Sequence, residues 1–221
     1  MSTIKVAIDG PAGAGKSSVS KAVAKKLGFV YIDTGAMYRA CALYSIEHNI
    51  ALNEEFPDNE LENIHIDITY RDDGQRIILN GTDVSERIRE TDVTKAASDI
   101  AKIPKVRLKL VDFQRQLAEK SNVLMDGRDI GTYVLPNAEV KIFLTASVEE
   151  RARRRFAEMQ EKGIPGDLET VKKDIAARDK NDTEREFAPL RQADDAVLLD
   201  TTGLSFDEVV DKMCKMISEA K

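Results

Sequence analysis

Gly10-Pro11-Ala12-Gly13-Ala14-Gly15-Lys16-Ser17 is the stretch that decides the fold. It satisfies G-x-x-x-x-G-K-[ST] at every fixed position, and its surroundings carry more weight than the string itself. Before it, the apolar run Lys5-Val6-Ala7-Ile8 reads as a buried strand that ends at Asp9-Gly10. After it, Val19, Ala22, Val23 and Leu27 keep helical spacing, and Gly28 sits where a helix's C-terminal glycine belongs. In a strand–loop–helix unit of this kind, glycines let the backbone curl so that several N–H groups converge on one anion. The helix adds its positive end to that nest. Lys16 would reach the β- and γ-phosphates of a nucleoside triphosphate as a mobile point charge, and the Ser17 hydroxyl would ligate Mg²⁺.

Working outward, Phe29 to Ile32 reads as a second strand, and Asp33-Thr34-Gly35 opens a helix through about Glu47. Val123-Leu124-Met125, Val140 to Leu144 and Ala196 to Leu199 are three further apolar runs of strand length. Strands alternating with helices predict an α/β fold of three layers, with a five-stranded parallel sheet covered on both faces. Pro104 is expected to separate two helices, and Ser205-Phe206-Asp207-Glu208 has the form of a capping box before Val209, Met213, Met216 and Ile217. The stretch 64–81 differs in character. Ile64 to Tyr70 alternates, Arg71-Asp72-Asp73-Gly74 turns, and Gln75 to Leu79 runs back, which predicts an antiparallel hairpin with one wet face. The expected organisation is a core at 1–60 and 92–221 with a small antiparallel insert at 61–91.

Composition narrows the function. The chain has 221 residues with 42% hydrophobic and 33% charged, enough for one α/β domain with a modest insert. A net charge of −6 disfavours a nucleic-acid groove, yet a few arginines in a cleft can still capture a small phosphorylated ligand. Cys41 and Cys214 fit no metal spacing and read as reduced thiols in helices. With no leader-like start and no apolar run near the ~20 residues of a membrane span, a cytoplasmic monomer is expected.

A bound triphosphate leaves switch, motor or kinase open. The N-K-x-D segment that reads guanine in GTP switches is absent, and a motor's sensor module has little room. A kinase needs an acceptor pocket and parts that exclude water. Asp33-Thr34-Gly35-Ala36-Met37-Tyr38-Arg39 follows the second strand, at the edge where α/β sheets bind ligands, and offers a hydroxyl and a cationic fork. Asp126-Gly127-Arg128-Asp129 ends the third strand, where a carboxylate commonly meets Mg²⁺ or an acceptor proton. Arg151, Arg153, Arg154 and Arg155 crowd a helix that stops at Gly163-Ile164-Pro165-Gly166, a candidate lid spanning about 151–166. A second charged segment, Arg178 to Arg185, precedes Pro189 and could equally be exposed helix.

Taken in order and spacing, these segments resemble the bacterial cytidylate kinases, a family of P-loop nucleoside monophosphate kinases. The carrying stretches are Ile8 to Ser17, Asp33 to Arg39, Asp126 to Thr132, Val140 to Leu144, Arg178 to Arg185 and Ala188-Pro189-Leu190. The resemblance implies transfer of the γ-phosphoryl of ATP to CMP or dCMP with Mg²⁺, and small-molecule nucleotides as the partners. Gly10 to Ser17 with Ser18 would bind ATP, joined by a lid arginine expected among Arg153, Arg154 and Arg155, for which Arg154 is taken. Thr34, Arg39, Arg178 and Asp182 correspond to acceptor-nucleotide contacts, and Ser98, Arg107 and Asp129 to residues reading the cytosine edge. Asp126 and Arg128 match positions near the acceptor phosphate and Mg²⁺, and Arg185 a phosphate-clamping arginine, so Lys16, Asp126, Arg128 and Arg185 form the expected catalytic set. Lys180, Asn181 and Thr183 depart from the family pattern and bear on the sugar preference. A different acceptor, such as UMP or a small metabolite, and a nucleotide-dependent switch are the alternative readings.

Overall fold

The computed structural model describes residues 3–71, 74–161 and 163–219. The expected turn at Asp72-Asp73 and the first two residues of the N-terminal reading lie outside them. Two compact units emerge, one of Met1–Tyr31 with Lys120–Lys221 and one of Ile32–Glu119.

In the first unit, strand β1 (Lys5–Asp9) runs into the glycine loop and helix α1 (Lys16–Leu27), which Gly28 closes at φ 70°. Strand β6 (Val123–Asp126) pairs in parallel with β1, placing Asp126 level with Ile8. Strand β7 (Val140–Thr145) lines the other side of β1, and β8 (Val197–Asp200) lies outside β7. With β2 (Val30–Asp33), the described residues form a five-stranded sheet in the order β2-β6-β1-β7-β8. The inner strands β6, β1 and β7 are mainly apolar because they are buried, as the centre of a parallel sheet requires, whereas Val197 and Leu198 of the edge strand β8 stay exposed. Val6, Ile8, Leu124, Ile142 and Leu144 pack with Val19 and Val23 of α1 and with Val209, Met213 and Ile217 of α8 (Phe206–Glu219). Helices α6 (Val148–Glu161) and α7 (Leu168–Glu184) share a smaller core of Ala152, Val171 and Ile175, edged by Phe156 and Met159.

The second unit contains α2 (Thr34–Glu47), a short α3 (Asp58–Glu62), α4 (Thr91–Ile100) and α5 (Pro104–Ala118), with a 3-10 turn at Arg87–Arg89 before α4. Pro104 occupies the first turn of α5, where its missing N–H costs nothing. The hairpin is present as β3 (Ile66–Arg71) against β4 (Gly74–Leu79), joined by a two-residue β5 (Thr82–Asp83) that alternation could not reveal. Its dry face is carried by Ile77 and Leu79 of β4.

Candidate active site

The loop between β1 and α1 is built on Gly10. Its φ of +147° and its closeness to β7 exclude a side chain, since a Cβ there would lie 1.9 Å from the Leu144 carbonyl oxygen. Lys16 is buried in the first turn of α1 and donates from Nζ to the carbonyls of Gly10 (2.7 Å) and Pro11 (2.8 Å). Burial, and then the nearby Arg128 cation, push its pKa down to about 7 against the pull of Asp126, Asp182 and Asp9. The exposed Ser17 donates from Oγ to Asp126 Oδ2 (2.7 Å), and Tyr31 donates to the other Asp126 oxygen (3.0 Å). Parallel pairing of β1 with β6 causes this juxtaposition, and it is fixed where the Gly127 N–H donates to Ile8 O (2.9 Å).

Beyond β6 the chain makes a π-turn, Ile130–Val134, whose first N–H groups are held by a residue the sequence reading passed over. Asp9 accepts from Ile130 N (2.8 Å) and Gly131 N (2.7 Å) while almost wholly buried. Burial raises its pKa to about 6, with the two backbone donors opposing the shift. Its signal was a carboxylate ending an apolar strand immediately before the glycine loop.

The charged segment predicted at 178–185 lies on the last turns of α7 and does not stand free. Arg128 donates from Nε to Asp182 Oδ2 (2.7 Å), Arg185 lies 3.9 Å from Asp182 Oδ1, and Arg185 also donates to Asp129 Oδ1 (3.2 Å). Burial works to raise the Asp182 pKa, but the Arg128 cation and its hydrogen bond win and hold that carboxyl low; Arg128 is correspondingly raised. Two arginines and two aspartates thus alternate in one chain of contacts, with half-buried Arg178 one turn earlier on α7. An arrangement of this kind can receive a phosphate dianion without creating new cations.

The four arginines of α6 have separate fates. Arg153 and Arg155 are exposed, the latter against Glu158 (3.2 Å). Arg154 spans Glu150 Oε1 (3.0 Å) and both oxygens of Thr201, Oγ1 at 3.0 Å and the carbonyl at 2.9 Å. Arg151, left unassigned by the sequence, is buried and bonds Ala12 O (2.9 Å) and Asp179 Oδ2 (2.6 Å).

Within the second unit, Asp33 caps α2 by accepting from Ala36 N (2.9 Å) and also accepts from Arg39 (3.0 Å). Thr34 is buried behind it in the first turn. Arg39 Nε is buried with no hydrogen-bond partner among the described residues. Gln75 of β4, also missed by sequence reasoning, accepts from Asp33 N (2.9 Å) and ties the small sheet to the start of α2. Arg107 of α5 is fully buried, stacks over Tyr38 at 5.3 Å and donates to Ala101 O (3.0 Å), while Ser98 on α4 is half-buried.

A strand-to-helix phosphate nest with a buried lysine, an aspartate on its serine and a nearby arginine–aspartate chain is a kinase's equipment. A model of the cytidylate kinase family matches residues 6–219. The chain belongs to the cytidylate kinase family. A cytidylate kinase of a Geobacillus species is 54% identical over 217 residues, covering 98% of this chain and 97% of its own. One from Bacillus cytotoxicus is 55% identical over 218 residues, covering 98% and 97%. Among solved structures, an uncharacterised protein from Eubacterium ventriosum aligns over 98% of this chain and 99% of its own at a TM-score of 0.55 and 15% identity, a likeness of fold. The P-loop α/β fold, the nucleotide-kinase activity and the place among nucleoside monophosphate kinases therefore stand. No helix among the described residues is long and apolar enough to cross a membrane.

Proposed function

We propose that this cytidylate kinase family member transfers the γ-phosphoryl of ATP to the 5′-phosphate of CMP or dCMP, giving ADP and CDP or dCDP, in the cytoplasm. The observation that carries the reading is the joint placement, in one unit, of Lys16 at the mouth of the glycine loop, Asp126 on Ser17, and the Arg128–Asp182–Arg185–Asp129 chain.

Gly10 to Ser17 and Ser18 are assigned to the ATP phosphates, with Arg154 the lid contribution of the segment at about 151–166. Thr34, Arg39, Ser98 and Arg107, with Asp126, Arg128, Asp129, Arg178 and Asp182, are assigned to the acceptor nucleotide, and the insert at 61–91 serves its binding. An oxygen of the acceptor phosphate forms the new bond to the γ-phosphorus as the β–γ bridging bond breaks, and the electron pair leaves on ADP. A phosphate dianion (second pKa about 6) needs no strong general base at neutral pH. The chain's task is therefore positioning and neutralisation of spread charge by Lys16, Arg128 and Arg185. The hard oxygens of Ser17 and Asp126 suit Mg²⁺, and they would hold it beside the triphosphate. Held there, Mg²⁺ would supply Lewis-acid neutralisation of triphosphate charge.

Initial rates of ADP release with CMP, dCMP, UMP, AMP and shikimate as acceptors test the reading. Preference for the cytidine pair is expected. A clear preference for any other acceptor, or slow hydrolysis indifferent to all five, overturns it.

A further inference from the structure

Arg151 and Asp179 are distant in sequence, on different helices, and unassigned to either substrate, yet both are bonded to a single residue of the phosphate loop. Asp179 Oδ1 accepts from the Ala12 N–H (3.1 Å), and Arg151 donates to the Ala12 carbonyl (2.9 Å). They also bond each other at 2.6 Å, with Arg151 buried and anchored a third time through Nε to Ala146 O (2.9 Å). The loop rests on the same helices, since a Cβ at Gly13 would touch Arg151 Cβ and Ile175 Cδ1, each at 3.4 Å.

Two successive peptide groups are thereby fixed. The Pro11–Ala12 peptide is held at both ends, its carbonyl by Lys16 Nζ and its N–H by Asp179. The Ala12–Gly13 peptide turns its carbonyl to Arg151, so in a trans peptide the Gly13 N–H points the opposite way, away from α6. An N–H of the nest turned from α6, at an exposed Gly13, can meet a phosphate oxygen.

We propose that Arg151 and Asp179 are positioning residues for the phosphate donor: as a pair they clamp Ala12 so that the Gly13 N–H stays presented to the triphosphate. The inference rests on the phosphotransferase reading above. Both bonds are charge-assisted, and losing either frees the peptide to rotate.

The test uses Asp179→Asn, Arg151→Gln and Arg151→Lys in the full chain. Asn at 179 keeps the shape but offers only one acceptor oxygen, and its amide opposes either Ala12 N–H or Arg151. Binding of a non-hydrolysable ATP analogue without acceptor, KM for ATP and for CMP, kcat, thermal midpoint, and hydrogen exchange at the Ala12 amide are measured. Affinity for the analogue and KM for ATP are expected to worsen about 10-fold in Asp179→Asn and Arg151→Gln, with KM for CMP little changed. Arg151→Lys should recover the thermal midpoint more than donor affinity, because a point ammonium cannot fork between Asp179 and Ala12. The Ala12 amide should exchange slowly in the wild type and faster in Asp179→Asn. Unchanged analogue affinity in the folded variants, or a loss that tracks thermal midpoint and is fully repaired by lysine, overturns the proposal. So does an Ala12 amide that exchanges freely in the wild type, a result that needs no variant to fold. If the wild type binds no triphosphate, the phosphotransferase reading fails by itself, and Ala12 exchange alone then decides whether the clamp exists.

Discussion

Lys16 is a buried cation whose hydrogen bonds go to neutral acceptors, while Asp126, Asp182 and Asp9 favour its charge only in part. Its Nζ is satisfied by the neutral Gly10 and Pro11 carbonyls, it is buried, and Arg128 repels it, which together bring the pKa down to about 7. A triphosphate entering the loop adds negative charge beside Nζ and restores the protonated form. Donor binding at pH 8 should therefore take up a proton, approaching one per site. Calorimetry of a non-hydrolysable ATP analogue in buffers of different ionisation enthalpy measures that uptake as the slope of observed heat against buffer enthalpy. Lys16→Ala should abolish the uptake and lower turnover by about 10²–10³. A wild-type slope of zero, or one showing release, would mean that Lys16 already holds its proton in the empty loop.

Elements were legible where local chemistry and burial agree. Strand β1, the loop and α1 follow from glycines and periodicity, and α8 from its capping box. The structure forms that box: Glu208 accepts from Ser205 N (2.8 Å), and Ser205 Oγ accepts from Glu208 N (3.4 Å). Ser205→Ala should then cost about 1 kcal/mol, read as a lower midpoint in urea unfolding at unchanged slope. A midpoint equal to wild type would show that α8 is held by Val209, Met213 and Ile217 alone. The illegible elements share a physical cause, which is that long-range partners decide them. The π-turn at Ile130–Val134 exists because Asp9, over a hundred residues earlier, takes its first N–H groups. Strand β5 is two residues long and carries no period. In the site, residue types were readable and pairings were not. The arginine run looked uniform, but only tertiary packing distinguishes buried Arg151 on the loop from Arg154 on Thr201 and exposed Arg153. Asp179 was hidden inside a segment whose charge pattern also suits a solvated helix.

For the molecule as a whole, the groups that serve the donor loop set how stability depends on pH. Burial pushes the Asp9 pKa up to about 6 from an ordinary 3.8, so the stability linked to its protonation is present below 3.8 and lost as pH rises through 6. Lys16 titrates near 7 in the fold against 10.5, so between those values the unfolded chain binds more protons and stability rises with pH. Both buried groups are charged between about pH 6 and 7, and there their joint contribution is least favourable. This is the form a stability–function trade-off takes when a loop must keep a cation ready for an anion it does not yet hold. Lys16→Met removes one side of the pair, keeping similar bulk without the charge. Whatever the absolute difference at pH 7, wild type should gain on Lys16→Met steadily from pH 7 to about 10.5, because only wild type sheds that buried charge. Urea unfolding of both proteins at pH 7, 8, 9 and 10 measures the gap; parallel curves across that window would place the Lys16 pKa in the fold at its unfolded value.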